Sequence, residues 1–513
     1  MIKVLVLGTL VAAVVVGVIA KTARISAFYA GDGPLPPARN GLAIAASAMP
    51  AALLASLTGP FGGQGDMAIF VGVLGGVLLI ALLLAAPLRR FAGYTLLDFL
   101  AERFQGGDVR ILGIIAVLLC SLPLLVAVLW FSGSVVGQVF GGDRGSATLI
   151  ASAVLLVAAL PGGMGSVNSI QVALGRVLIA AVAVAAIVLI ATGTAGVSSY
   201  DAGARQLPPG LLAANDWNGK AALAITLALG TASLPHLLMR SITAASPQAA
   251  RCSFGWALLF LAPLYFAPQA FRAALEAQSF APGVLAVFAT TALLAASLAA
   301  TSGLALAMGN ALSYDIYYKS LAPTAPPQLR LHAAWAGLVL VVAIAAGLAS
   351  RADTEVVPLA AWCFSLAASG ILPVLALGLW WKRANGQGAV AGGVAGLALC
   401  LYYLVAPRYI PITFYETSSF LSNATPDDAA SYLLLKQAYA LAEGAAKGAA
   451  FGAWEAKAGS LANWGGVSGV CAALFAVPVG FLVTIVVSLF TPAPSADVQR
   501  FVEELHAPAQ GTE

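Results

Sequence analysis

The chain reads as an all-α membrane protein of about thirteen transmembrane helices, and three observations predict it. Apolar residues fill 60% of 513 positions and charged residues only 9%, with a mean hydropathy of +0.93. A soluble domain carries about 25% charge. Stretches such as Val4–Ala20, Met67–Leu88, Ile111–Phe131, Val177–Thr192 and Val470–Phe490 contain no charge, and a lipid-crossing helix needs about 20 such residues. Only two segments look watery, 407–462 and 491–513. The function therefore belongs among channels, transporters, receptors and membrane-embedded enzymes. A net charge of +4 gives no reason to expect a nucleic-acid partner.

The expected spans are 2–20, 40–59, 67–88, 110–135, 146–162, 169–193, 220–239, 253–275, 282–312, 331–350, 356–380, 387–406 and 463–490. The first begins like a signal peptide, with Lys3 before an apolar run. Lys21 and Arg24 follow that run, so it reads as a retained helix. Lys and Arg are kept preferentially on the cytoplasmic side. With the N-terminus outside, 14 of the 25 basic residues fall on inner loops, including Arg89, Arg90, Arg103, Arg110, Arg240, Lys319 and Arg330. The short outer segments hold six, so the N-terminus is expected outside and the C-terminus in the cytoplasm. The long outer loop 407–462 carries an Ala-rich, Lys/Glu-bearing stretch, 432–457, that reads as one or two surface helices. Trp362, Trp380 and Trp381 near helix ends read as interfacial anchors.

Two spans carry helix-breaking signals. One has Pro50 within Asn40–Pro50; the other has Gly230 and Pro235 around Thr231-Ala-Ser-Leu234. A proline inside a helix frees a carbonyl one turn back, and in lipid that group must find a polar partner. Matched breaks in two halves point to a transporter's site. Here they open helices two and seven, and segments 40–193 and 220–380 each hold five helices. This predicts a five-plus-five inverted repeat. Residues 1–39 form an added helix and inner loop, 194–219 an outer loop, 381–490 two added helices, and 491–513 a tail.

Chemistry-bearing residues are sparse. Cys120, Cys252, Cys363, Cys400 and Cys471 lack metal-ligand spacing and read as small buried hydrophobes. His236, His332 and His506 are scattered. No Asp or Glu is expected well inside a span. Paired carboxylates and nucleophile–base pairs are also missing from the helices, so no enzyme is expected. Asp98, Glu102 and Arg103 read as a surface ion-pair patch or gate latch. Asn40 reads as a helix cap, and Arg176 as a side chain reaching to the membrane boundary.

Several separated strings carry a resemblance. They are Ser26-Ala-Phe-Tyr-Ala-Gly-Asp-Gly-Pro-Leu-Pro-Pro-Ala-Arg-Asn-Gly41, Tyr94-Thr-Leu-Leu-Asp-Phe-Leu-Ala-Glu-Arg-Phe104, Pro161-Gly-Gly-Met-Gly-Ser-Val-Asn-Ser-Ile-Gln171, Leu234-Pro-His-Leu-Leu-Met-Arg240, Ser313-Tyr-Asp-Ile-Tyr-Tyr318 and Val477-Pro-Val-Gly-Phe481 with Ser488-Leu-Phe-Thr-Pro-Ala-Pro494. In this order they resemble the sodium/solute symporter family, particularly its cation/acetate, monocarboxylate branch. The resemblance implies a leucine-transporter-like fold in a bacterial-type inner membrane. It implies sodium as the coupling ion, with no other cofactor, and a small carboxylate solute taken up by alternating access. The sodium ligands expected in this chain are backbone carbonyls of Ala45, Ala46 and Met49 with the nearby hydroxyls of Ser297, Thr301 or Ser302, of which Ser297 and Thr301 share a helix face. The implied solute contacts are Ser47, Ser233 and His236. A half-helix N-terminus suits a carboxylate, and unwound carbonyls with hydroxyls suit a hard cation.

The chain departs from the family pattern in three places. Ser47 stands where an Asp commonly follows the Ala-Ala pair. Ala299 and Ala300 stand where hydroxyls are usual. The Gly-Gly-Met motif lacks its Trp. These departures keep a second expectation open, a transporter-like sensor or partner subunit without cation coupling. Two roles fit His236: a donor to the solute carboxylate, or a packing group in the broken helix. The oligomeric state is not indicated.

Overall fold

The structure is a computed structural model that describes residues 1–48, 65–91, 93–192, 217–276, 282–352 and 356–507. All extended regular elements among these residues are helical. The chain begins with α1 (Ile2–Ile19), α2 (Ile25–Ala30) and α3 (Pro37–Ala48). Next come α4 (Gly65–Leu79), which passes through a π turn into α5 (Ala85–Phe91), and the short α6 (Leu96–Phe104). The long α7 (Gly107–Phe140), α8 (Arg144–Ala159) and α9 (Met164–Thr192) complete the first half. The second half has α10 (Trp217–Ser233), α11 (Pro235–Leu238), α12 (Pro247–Glu276), α13 (Pro282–Asn310), α14 (Pro327–Arg351) and α15 (Val356–Trp380). Then follow α16 (Gly386–Tyr409), α17 (Pro411–Ser418), α18 (Pro426–Leu441), α19 (Ala445–Leu461), α20 (Ala473–Phe490) and α21 (Ala496–Glu504).

Among the described residues, nine helices are long and apolar enough to cross a membrane, and ten if the bent α10–α11 pair is one span. The protein is thus a multi-pass membrane protein. The other three of the thirteen expected spans differ. Span 40–59 runs past Ala48 and out of the described residues. Span 146–162 corresponds to α8, which is apolar but only 16 residues long. Span 253–275 lies in α12, which is not among the nine. The watery loop is helical as expected, as α17, α18 and α19, with Tyr415, Tyr432, Trp454 and Leu461 forming a small cluster of their own.

Helices α7 and α13 are central, and the main apolar cluster is built around them. Packing is paired across the halves. Helix α3 lies along α12 as α10 lies along α4, and α9 lies along α13 as α15 lies along α7. Small residues allow the close contacts, as expected where lipid offers no hydrophobic drive. Gly72 and Gly76 of α4 bring it against Leu227 and Thr231 of α10. Gly388 and Gly392 of α16 sit directly on Thr484 and Ser488 of α20.

Candidate functional site

The second predicted break is present. Pro235 has no N–H for the helix and pushes its predecessor out of helical geometry. Leu234 accordingly sits at φ −68°, ψ 119°. The helix axis turns by 53° between Gly219–Ser233 and Pro235–Ser241. The first predicted break, with Met49 and Pro50, lies outside the described residues.

Around the 234 break the structure brings four helices together. The His236 ring lies against the main chain of Ser47, near the described end of α3. The same ring faces Gly303 of α13, where a Cβ would stand 3.6 Å from His236 Cβ and Cδ2. That Cβ would also stand 2.9 Å from Gln171 Nε2, on α9. Gln171 donates from Nε2 to the Ala299 carbonyl at 2.9 Å and to Ser302 Oγ at 3.3 Å. Gly303 therefore lets α9, α11 and α13 meet at one point. All five residues, Ser47, Gln171, His236, Ser302 and Gly303, are buried. Among the described residues, His236 Nδ1 and Gln171 Oε1 have no hydrogen-bond partner. Buried polar atoms are normally satisfied, so unused acceptor and donor capacity is concentrated here.

The hydroxyls near the site share one habit. Ser47 donates to the Ala43 and Ile44 carbonyls, Ser233 to Leu229, and Ser297 to Leu294. Thr301 donates to Ser297 and Leu298, and Ser302 to Ala299, with distances from 2.7 to 3.1 Å. Each proton is spent within its own helix, which leaves oxygen lone pairs able to face a cation. Ala45 and Ala46 are buried in the last described turn of α3. Ala46 shares an apolar cluster with Ala299, Ile170 and Leu174. The methyls of Ala46 and Ala299 thus meet other apolar side chains. Among the described residues, Ser297, Thr301 and Ser233 bond only within their own helices and are not joined to the His236 cluster by a hydrogen bond.

Four expectations change. Asn40 does not cap α3, which starts at Pro37. It donates to the Arg240 carbonyl at 3.1 Å and accepts from Thr243 at 3.2 Å, tying α3 to the segment after α11. Arg103 is not in a surface patch. It is fully buried and donates to the Gly378 and Trp381 carbonyls at 2.7 and 2.9 Å, at the C-terminal end of α15. Asp315 is an acid inside a helix that sequence reading ended at 312. The helix continues as a π-helix, Ala311–Leu321, and carries Asp315 inward. There Asp315 accepts from Arg110 at 2.8 Å and from Thr95 at 3.2 Å. Asp98 accepts from Tyr314 at 2.9 Å and lies 3.5 Å from Arg110 and 3.4 Å from Lys319. Cys252 is exposed, while the other four cysteines are buried as expected. Arg176 is exposed on α9.

Sequence reading missed Gln171 as a contact and Arg240 as a buried group. Both stand in strings singled out above, but hydropathy alone placed Arg240 on a loop.

The sodium:solute symporter family model matches residues 28–281 and 270–396, and the chain belongs to this family. An uncharacterised symporter of Cupriavidus necator is 25% identical over 96% of this chain and 91% of its own. A monocarboxylic acid transporter of Corynebacterium glutamicum is 27% identical over 75% of this chain and 79% of its own. A Na+-coupled sialic acid symporter, solved substrate-bound and outward-open, has the same fold. Its TM-score is 0.64 at 15% identity, covering 96% of this chain and 98% of that one. The chain is a secondary transporter and not an enzyme, and the sensor reading is not favoured.

Proposed function

We propose that this protein couples sodium to the uptake of a small monocarboxylate such as acetate. The observation that carries the reading is the meeting of Ser47, His236, Gln171 and Ser302 at the 234 break. Orphaned polar atoms there offer a donor to a carboxylate beside the hydroxyl oxygens of Ser47 and Ser302. The monocarboxylic acid transporter among the relatives supports the solute class, and the family's description supports the ion. Sodium takes Ala45, Ala46 and Met49 carbonyls with Ser297, Thr301 or Ser302, while Ser47, Ser233 and His236 face the solute. Residues 40–193 and 220–380 act as two inverted five-helix units that rock to expose the site to either side, with the N-terminus outside. The paired packing of α3 on α12 and α10 on α4 supports that division.

The test is uptake of labelled acetate into proteoliposomes with and without an inward sodium gradient. Uptake that depends on the gradient is expected. Uptake indifferent to sodium refutes the coupling, and solute binding without uptake refutes transport. The double change Ser297→Ala, Thr301→Ala raises the sodium concentration for half-maximal uptake. Unchanged sodium dependence removes both hydroxyls from the ion site.

A further inference from the structure

Three arginines on the outer surface of the helix bundle lack a counter-charge. Arg39 of α3, Arg176 of α9 and Arg251 of α12 are exposed, and among the described residues none of them makes a hydrogen bond or an ion pair. No acid lies on α3 or α9, and the one acid of α12 is Glu276, its last residue. Arg176 is the single charged residue among the 29 of α9.

Glycines bring these three helices together at one level. A Cβ on Gly41 would stand 2.5 Å from Trp256 Cβ and 2.7 Å from the Ser253 carbonyl oxygen, so α3 lies directly on α12. A Cβ on Gly175 would stand 2.8 Å from Leu42 Cγ, so the next residue of α3 lies directly on α9. Helices α9 and α12 also pack against each other. Arg39 precedes Gly41 by two residues, Arg176 follows Gly175, and Arg251 precedes Ser253 by two. Each is therefore within about one helical turn of the crossing. Arg39 and Leu42 are three apart and share a face of α3, and Leu42 is half-buried there. A shallow groove results, floored by Leu42 and ringed by one cation from each helix.

The surface around the groove is apolar. Trp256 is 41% exposed and stacks on Phe260 with ring centroids 5.8 Å apart, and Leu259 is 60% exposed. Met164–Val184 is apolar enough to cross a membrane, and Arg176 stands about 18 Å along that axis from its start. A lipid-facing arginine is costly unless its guanidinium reaches a headgroup. Three like charges at one level add mutual repulsion, which an anion removes. A guanidinium fork matches phosphate oxygens, basic pockets between membrane helices suit anionic headgroups, and tryptophan favours the headgroup level.

We propose that Arg39, Arg176 and Arg251 form a headgroup site for an anionic phospholipid. Its phosphate lies between the three guanidiniums, and an acyl chain lies over Leu42 and Trp256. The lipid braces α3, which carries Ser47 five residues beyond Leu42. The site is separate from the ion and solute positions.

The test uses the purified full-length protein, stripped of lipid in detergent, with native mass spectrometry for binding and melting temperature for stabilisation. The probes are phosphatidylglycerol, phosphatidylcholine with the same acyl chains, and inorganic phosphate. Phosphatidylglycerol is expected to bind and to raise the melting temperature, with phosphatidylcholine and inorganic phosphate having little effect. Each of Arg39→Gln, Arg176→Gln and Arg251→Gln weakens phosphatidylglycerol about fivefold, and the triple change about 100-fold. The triple change to lysine retains most of the affinity. Arg351→Gln, exposed at the end of α14, leaves it unaltered. Equal phosphatidylglycerol affinity in the wild type and the triple glutamine variant overturns the inference. So does an equal loss in Arg351→Gln, which marks a net-charge effect. Phosphatidylcholine bound as tightly as phosphatidylglycerol marks ordinary boundary lipid, and an equal shift with inorganic phosphate marks a soluble-anion site; either result overturns it. If the triple glutamine variant does not fold, the single variants decide, and unchanged affinity in all three rejects the site.

Discussion

Replacing Gly303 by alanine puts one methyl group into the point where three helices meet. The new Cβ would stand 2.9 Å from Gln171 Nε2 and 3.6 Å from two atoms of His236. The His236 distance is ordinary contact, so the conflict falls on Gln171. That side chain is fully buried and must give up its bond to Ala299, or α9 and α13 must part. Overpacking a well-packed core costs about 1–3 kcal/mol. A lost hydrogen bond that strands a buried donor costs about 1–3 kcal/mol. The two partly overlap, and about 2–3 kcal/mol is expected. If the cost falls on the solute-competent arrangement, it is worth about 30- to 150-fold in apparent affinity. The assay is the KM for acetate uptake in proteoliposomes, run beside Gly255→Ala, where a Cβ meets nothing within 4 Å. The double change Gly303→Ala, Gln171→Ala makes room and should regain melting temperature relative to Gly303→Ala alone. A Gly303→Ala protein with the KM and melting temperature of Gly255→Ala would falsify the three-helix contact.

Other consequences follow from the same geometry. Gly392→Val would push atoms into Thr484 Oγ1, 1.8 Å from the ideal Cβ, and the Gly480 carbonyl at 2.6 Å. Folded yield by size-exclusion chromatography should collapse, whereas Gly448→Val, with open space around it, should be tolerated. Arg110→Met leaves Asp315 buried without its ion partner and should cost about 3–5 kcal/mol. Adding Asp315→Asn should recover part of that cost in a double-mutant cycle on thermal unfolding; strict additivity would deny the coupling. In the segment between α17 and α19, bonds from Lys457 and Thr425 hold the Asp428 carboxyl at about 2, below its ordinary value. A depressed pKa contributes stability above the unfolded value of about 3.9 and loses it as pH falls toward 2. Protection of the α18 amides, measured against their intrinsic exchange rates, should therefore fall between pH 4 and 2, and in Asp428→Asn the same acid step should shrink.

Membrane residence, helix within the watery segment 407–462 and the kink at Pro235 were all legible in the residues. Each depends on local composition: apolar runs too long for water to tolerate, an Ala-rich stretch bearing Lys and Glu at 432–457, and a proline without an N–H. The family was also legible, because its strings are short and ordered along the chain. The meeting of Gln171 with Ser302 and His236 was not legible. It depends on Gly303 permitting a close approach between helices far apart in sequence, and a glycine in an apolar run gives no sign of its neighbour. Arg240 and Asp315 show the same division. Their charges argued for water, and hydropathy placed them at its edge. Side-chain packing put both inside, because a hydrogen-bonded neighbour can stand in for solvent only after distant helices have come together.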